Sequence, residues 1–381
     1  MGRAGLEHAG RLARQGSHHS HRFFPHTYTR AMATHPIAQL TASRFGPFDD
    51  VNIDLSRNLN VVVGDNAAGK SQLLKLLYSG TKVLHDADQL TKRDLNTEIA
   101  AKLDGVFRPT QLGRLTRRAR GRTRAEVGIK YQGISNPLVF SFASTAKREV
   151  ATETYPAKDL PDSPVFLPTH ELLSLGSSFL ALYDSRETNF EETWRDTVQL
   201  LQIPALRGPR GKDANTLVKP FSALLQGGTV FEEGGRFFLR QPGIGNLEAT
   251  LLAEGHRKLA MIVRLISSGV LLNGGYLFWD EPEANLNPAS QKAVAHALIH
   301  LAKSGSQIFV ATHSMFILRE LQMSSSDENF STRYIGLTRD QSGDDASSAD
   351  VQVSTANDLD DLDFIAALEA EAEQSLRYLS R

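Results

Sequence analysis

Eight consecutive residues, Gly64-Asp65-Asn66-Ala67-Ala68-Gly69-Lys70-Ser71, carry the G-x-x-x-x-G-K-S spacing of a phosphate-cradling loop. Glycine at either end lets backbone N–H groups converge on phosphate oxygens, and the positive end of a following helix deepens the same field. Lys70 is then spaced to reach the outer phosphates of ATP and Ser71 to bind Mg2+, with Gln72 closing the ATP-binding stretch. A second group is Tyr276-Leu277-Phe278-Trp279-Asp280-Glu281-Pro282, an apolar run ending in two carboxylates. Alone, two acids at a strand end are as readily the start of a loop. Beside a phosphate loop, Asp280 suits a magnesium ligand acting through water, and Glu281 suits a general base that orients the attacking water. The third group is Thr312-His313-Ser314, which follows the apolar run Gln307–Ala311. His313 at such an edge can sense the γ-phosphate or position water.

These groups need elements to hold them. Leu59-Asn60-Val61-Val62-Val63 reads as a buried strand feeding the loop, and Leu73, Leu74, Leu76 and Leu77 have the spacing of a helix packed on a sheet. Upstream, apolar positions from Ile37 to Leu55 predict two short strands around the Gly46-Pro47 turn. Downstream, a helix to about Leu272, a strand Tyr276–Trp279, a helix Pro288–Lys303 and a strand Gln307–Ala311 alternate. Alternation of this kind predicts an α/β fold with a mostly parallel central sheet, an antiparallel β part and carboxylates at the ligand-binding strand ends.

Between these blocks the chain is less regular. Strand-like runs at Val127–Tyr131 and Leu138–Phe142, a helix over Phe190–Leu201 and glycine breaks at Gly208, Gly227 and Gly243 predict an inserted lobe over about residues 80–250. That lobe carries Arg108, Arg114, Arg117, Arg118, Arg120, Arg122 and Arg124, a run able to track a nucleic-acid backbone or simply to solvate a surface loop. Three regions are expected: a disordered extension over 1–36 with Met32 as alternative initiator, an ATPase domain over 37–323, and a tail over 324–381. The tail reads as an acidic, serine-rich linker followed by an amphipathic helix with Phe364, Ile365, Leu368, Leu376 and Leu379.

Composition narrows the classes. A net charge of -1 leaves no global bias toward nucleic acid or membrane, so such a contact needs a local patch. No cysteine means no disulfide, no thiolate nucleophile and no cysteine-ligated zinc, which fits a cytoplasmic protein. The longest apolar stretch, Leu259–Leu272, is broken by Arg264 and by Ser267-Ser268-Gly269, too short for the roughly 20 residues of a membrane span.

Taken together, Gly64–Ser71, Asp280-Glu281-Pro282-Glu283-Ala284-Asn285-Leu286 and Ala311-Thr312-His313-Ser314 resemble, in order, the motifs of the ABC-type ATPases. The likeness is to the soluble branch of RecF, the overcoming-lysogenization-defect proteins and related defence ATPases, and it spans about residues 37–323. The resemblance implies a homodimer in which each ATP lies between the phosphate loop of one subunit and a signature segment of the other. That segment is Ala253, Glu254, Gly255 and His256, opening a helix. Ala253 stands where the family usually has serine, which implies slower hydrolysis, and His256, Arg257 or Lys258 could restore charge toward the partner's phosphate. Val165–Glu171 lies about where the family's glutamine loop should fall, but holds no glutamine.

Three uses of such a switch compete. A transporter nucleotide-binding subunit normally has a far shorter stretch than Ser71 to Leu252. A chromosome or repair ATPase would show long heptads, which are missing, although a compact RecF-like repair role stays open. The reading carried forward is a sensor or regulatory ATPase of bacterial anti-phage defence, acting with a separate effector such as a nuclease.

Overall fold

The structure, a computed structural model, describes residues 33–87, 90–118, 121–185, 189–272, 274–324, 330–339, 351–362, 373–374 and 376–380. In chain order the first elements are β1 (Ile37–Phe45), β2 (Phe48–Asp54), β3 (Leu59–Gly64), α1 (Lys70–Asp86) and α2 (Lys92–Phe107). Next come β4 (Arg124–Tyr131), β5 (Leu138–Ala143), β6 (Ala151–Thr154), β7 (Pro164–Leu167), α3 (Ser178–Ser185), α4 (Glu192–Leu201) and α5 (Pro209–Leu224). A small sheet of β8 (Thr229–Glu233), β9 (Arg236–Gln241) and β10 (Gly245–Glu248) precedes α6 (Glu254–Ser267). The chain then runs through β11 (Tyr276–Asp280), α7 (Pro288–Lys303), β12 (Gln307–Ala311), α8 (Met315–Ser324), β13 (Thr332–Arg339) and β14 (Val351–Ala356).

The central sheet has the order β14-β13-β3-β12-β11-β7, with every neighbouring pair parallel except β13 and β14. Every residue of β11 and β12 is buried, as a sheet covered on both faces requires. Alternation along the strands sorts the side chains into two cores. Val61, Leu277, Trp279, Ile308 and Val310 face α5, α6 and α7. Val62, Phe278, Phe309 and Ile335 face α1 and a five-stranded antiparallel sheet of order β2-β1-β4-β5-β6. The crossover α1 therefore lies between two sheets. Its position makes the phosphate loop, at its N-terminus, the junction of the parallel and antiparallel layers.

The mostly parallel α/β sheet and its antiparallel companion agree with the sequence reading, whereas three boundaries differ. Order begins before Ile37: Ala33 is buried and its N–H donates to the Gly305 carbonyl at 2.7 Å, because the incoming chain closes the sheet end below β12. Residues 80–250 are not one lobe. Their β4, β5 and β6 extend the β1–β2 hairpin and β7 fills the edge of the central sheet, leaving α2 and the stretch from α3 to β10 as the added parts. The stretch expected as an acidic linker instead contributes β13 and β14 to the central sheet, Leu337 and Ile335 sitting in its core. The serine-rich and acidic residues around it masked that strand pattern. Phe364, Ile365 and Leu368 lie outside the described residues, and Leu376 and Leu379 are exposed.

Candidate ATP site

At Gly69 the backbone takes a φ of 99°, and a side-chain carbon there would stand 2.6 Å from Pro47 Cγ and 2.9 Å from Phe48 Cζ. Only glycine lets the loop pass this close under the Gly46-Pro47 turn. The turn is itself braced, since the Arg117 guanidinium donates to the Pro47 carbonyl at 2.6 Å. Lys70 is buried and its ammonium curls back to the carbonyls of Gly64 (2.8 Å) and Asp65 (3.0 Å). Burial lowers its pKa, an effect opposed by the charges of Glu281, Asp280 and Glu283. At the start of α1, Ser71 Oγ donates to Asp280 Oδ1 at 3.0 Å. The hydroxyl and carboxylate expected to share a magnesium ion are thus side by side, at the edge where the parallel register of β3, β12 and β11 gathers the strand ends. Burial raises the Asp280 pKa above the ordinary carboxylate value, while the Ser71 hydrogen bond works the other way. A buried carboxylate at this edge is suited to a cation.

Glu281 follows with a φ of 48°, unusual for a residue with a side chain, and its N–H is held by the Ala311 carbonyl at 2.9 Å. The chain's turn out of β11 is therefore fixed by the neighbouring strand. His313, about half exposed, places Nδ1 3.7 Å from Glu281 Oε1 and 3.4 Å from Glu283 Oε1. Glu283 is a member of the site that sequence reasoning left without a role. Its buried Oε1 accepts from Thr312 Oγ1 at 2.8 Å and from the His313 N–H at 3.0 Å, and Oε2 has no hydrogen-bond partner. The acid-proline-acid spacing of Glu281 and Glu283 was the available signal. Glu283 thus fixes both the backbone and the imidazole of His313.

The signature segment lies elsewhere. Ala253 is the N-cap of α6 and provides no side-chain cap, leaving the first-turn N–H groups without that partner. Ala253, Gly255 and His256 line a cleft of about 250 Å³ with Asn285, Leu286, Asn287 and Ser290, and no phosphate-loop residue lines it. Glu254 accepts from Asn285 Nδ2 at 2.8 Å, and a side-chain carbon on Gly255 would stand 2.5 Å from the Asn285 carbonyl. The compensating charges expected from Arg257 and Lys258 are committed elsewhere. Arg257 Nε donates to Glu171 at 2.5 Å and its Nη1 to the Leu252 carbonyl at 2.7 Å, while Lys258 is buried. His256 alone of the three keeps a place in the cleft.

The other arginines divide. Arg117 serves the turn over the phosphate loop, Arg124 donates to Ser141 Oγ at 2.9 Å, and Arg108 caps α2 with a φ of 51°. Arg114, Arg118 and Arg122 are exposed, and Arg120 lies outside the described residues. Among the described residues no helix is long and apolar enough to cross a membrane.

Parallel sheet, phosphate loop and paired carboxylates define a P-loop ATPase of ABC type, and the solved structures that resemble it share that fold. An Smc head bound to the C-winged helix domain of ScpA matches with a TM-score of 0.52 at 15% identity, over 84% of this chain and 98% of that one. An Smc head domain with an extended coiled coil, bound to the C-terminal domain of ScpA from Pyrococcus furiosus, matches with a TM-score of 0.51 at 14% identity, over 91% of this chain and 100% of that one. No curated protein matches. The family described as "AAA domain, putative AbiEii toxin, Type IV TA system" matches residues 89–319, and a second AAA-domain family matches residues 39–80 across the phosphate loop. The chain belongs to the first of these families and is an AAA-domain ATPase related to defence-system ATPases.

Proposed function

We propose that ATP draws two copies of this chain into a head-to-tail dimer and that hydrolysis releases it, the dimer population being the signal. The observation that carries this reading is the separation of two half-sites within one chain. Residues Gly64–Gln72, Asp280, Glu281 and His313 gather at the sheet edge, whereas the uncapped start of α6 lines a cleft with the segment after the carboxylates. A second copy would bring its Ala253–His256 to the first copy's ATP. In each site, Lys70 would release its loop carbonyls to meet phosphate, and Ser71 and Asp280 would hold Mg2+, which supplies charge neutralisation at the phosphates. Glu281, kept in direction by its backbone hydrogen bond to Ala311, would take the proton of the attacking water. His313, braced by Glu283, would orient that water or the γ-phosphate.

In the cell we read the protein as a sensor or regulatory ATPase of an anti-phage defence system with a separate effector. The family's description as a toxin of a toxin–antitoxin system supports that setting. The test is turnover and sizing of wild type against Glu281→Gln. Loss of the positioned base should lower kcat by about 100-fold or more and trap an ATP-bound dimer. A variant that keeps turnover and stays monomeric with ATP removes the composite site.

A further inference from the structure

Lys258 sits one turn into α6 and is 1% exposed, yet its ammonium is hydrogen-bonded to backbone carbonyls. It donates to Thr169 at 3.1 Å, to Glu281 at 2.9 Å and to Ala284 at 3.3 Å. These carbonyls belong to two separate segments, the loop leaving β7 and the turn that carries the catalytic carboxylate. Burying an ammonium is expensive, and a tie between loops alone could be made by neutral groups. The lysine reaches both segments from the helix and its three ammonium donors meet three acceptors at once. Two neighbours reinforce the arrangement. Arg257 joins the start of the helix to Glu171 in the loop after β7, and Gly255 lets the Asn285 carbonyl sit against the same turn. The first turn of α6, residues 169–171 and residues 281–285 therefore form one hydrogen-bonded block.

We infer that Lys258 is a positioning residue that couples the two ATP sites of the dimer, linking the segment that meets the partner's nucleotide to the backbone of Glu281 in its own site. This inference rests on the composite-site reading above. A displacement of the α6 N-terminus on meeting the partner's phosphate is carried through Nζ to the Glu281 carbonyl. There it acts on a residue whose left-handed backbone leaves few alternative directions for the side chain. Each subunit thereby sets its own carboxylate according to whether its partner holds ATP, which is a coupling free energy between sites.

Three measurements test it. Lys258→Met should lower kcat about 100-fold, the scale of a small misplacement of a catalytic group, with KM changed less than about threefold, and Lys258→Arg should recover part of the loss. Mixed dimers, isolated through two different tags, then separate coupling from local bracing. In each mixed dimer one subunit, the reporter, keeps Glu281, and the other carries either Lys70→Ala, which leaves its site without ATP, or Glu281→Gln, which holds ATP without turning it over. Coupling predicts that the reporter's turnover differs several-fold between an empty and an ATP-holding partner, that Lys258→Met in the reporter abolishes this difference, and that Lys258→Met in the partner leaves it. A difference that persists with Lys258→Met in the reporter, or that is absent with both lysines intact, overturns it. Glu281→Gln with Lys258 intact reports on the composite site alone. If that variant forms no ATP-bound dimer, the composite-site reading fails and the coupling falls with it. If the dimer forms and the reporter's dependence on its partner's ATP survives Lys258→Met in the reporter, only the coupling fails.

Discussion

Ala253 and Lys258 are the residues where local chemistry and expectation part most sharply. Ala253 begins α6 without a side-chain oxygen, so neither the helix nor an incoming phosphate receives a hydroxyl there. Ala253→Ser should stabilise the fold by about 1 kcal/mol through capping and, if this turn meets the partner's phosphate, raise turnover several-fold through a charge-assisted hydrogen bond of about 1.5 kcal/mol. Thermal unfolding and steady-state turnover are the two readouts. A rise in stability with unchanged turnover would show that the hydroxyl caps the helix and meets no phosphate. Lys258 has a different signature. Burial pushes its ammonium from the ordinary 10.5 down to about 8, against the pull of Glu283 and Glu281. Below about pH 8 folded and unfolded chains both hold the proton, and the folded state bears the whole burial cost. Between about pH 8 and about pH 10 the folded state releases the proton first, so that cost shrinks as pH rises. Groups shared by both proteins cancel in a comparison with Lys258→Met. From about pH 7 to about pH 9.5 wild type should therefore gain about 2 kcal/mol relative to the variant in denaturant unfolding. A gap that is flat with pH would mean the lysine stays solvated.

Among the elements, those that feed the site were legible because each pairs a regular hydrophobic period with a chemical punctuation mark. Helix Pro288–Lys303 was read with the bounds that α7 shows, for it has proline in the first turn and an asparagine N-cap whose side chain accepts from Ser290 N. β3, β11 and β12 were legible as continuous apolar runs ending in a glycine, an acid pair or a threonine-histidine step. β13 and β14 were not. Their apolar positions are interspersed with Thr332, Arg333, Thr338, Gln352, Ser354 and Thr355, and the register that makes them strands is set by β3 rather than by their own pattern. β7 shows in the sequence only as part of Val165–Glu171, the stretch near the family's glutamine loop, since a four-residue strand has too few positions to show a period. The roles of Glu171 and Glu283 were equally hidden. A sequence shows an acid, whereas the contacts that give it a task, Arg257 and Ser174 for one and Thr312 and His313 for the other, come from segments 3 to 86 residues away.

At the scale of the whole molecule the question is what one chain lacks. Its phosphate loop and carboxylates lie on the junction of two sheets, and its helix start, which has no side-chain cap, lines a cleft with Asn285 and Asn287. If two copies complete one another, each dimer holds two sites, and turnover per chain must depend on how much dimer exists. At saturating ATP, specific activity should fall as the protein is diluted below the dimer dissociation constant, toward a second-order dependence of rate on protein concentration. Glu281→Gln, which prolongs the ATP-bound dimer, added in excess as a partner, should restore activity to dilute wild type by supplying intact Ala253–His256 turns. Phosphate release measured across about a hundredfold range of protein concentration, alongside light scattering, reads both effects. A monomer that hydrolyses ATP alone gives a specific activity independent of dilution and indifferent to the added variant. That outcome would place the whole catalytic apparatus at the edge of β3, β11 and β12 and leave α6 no part in it.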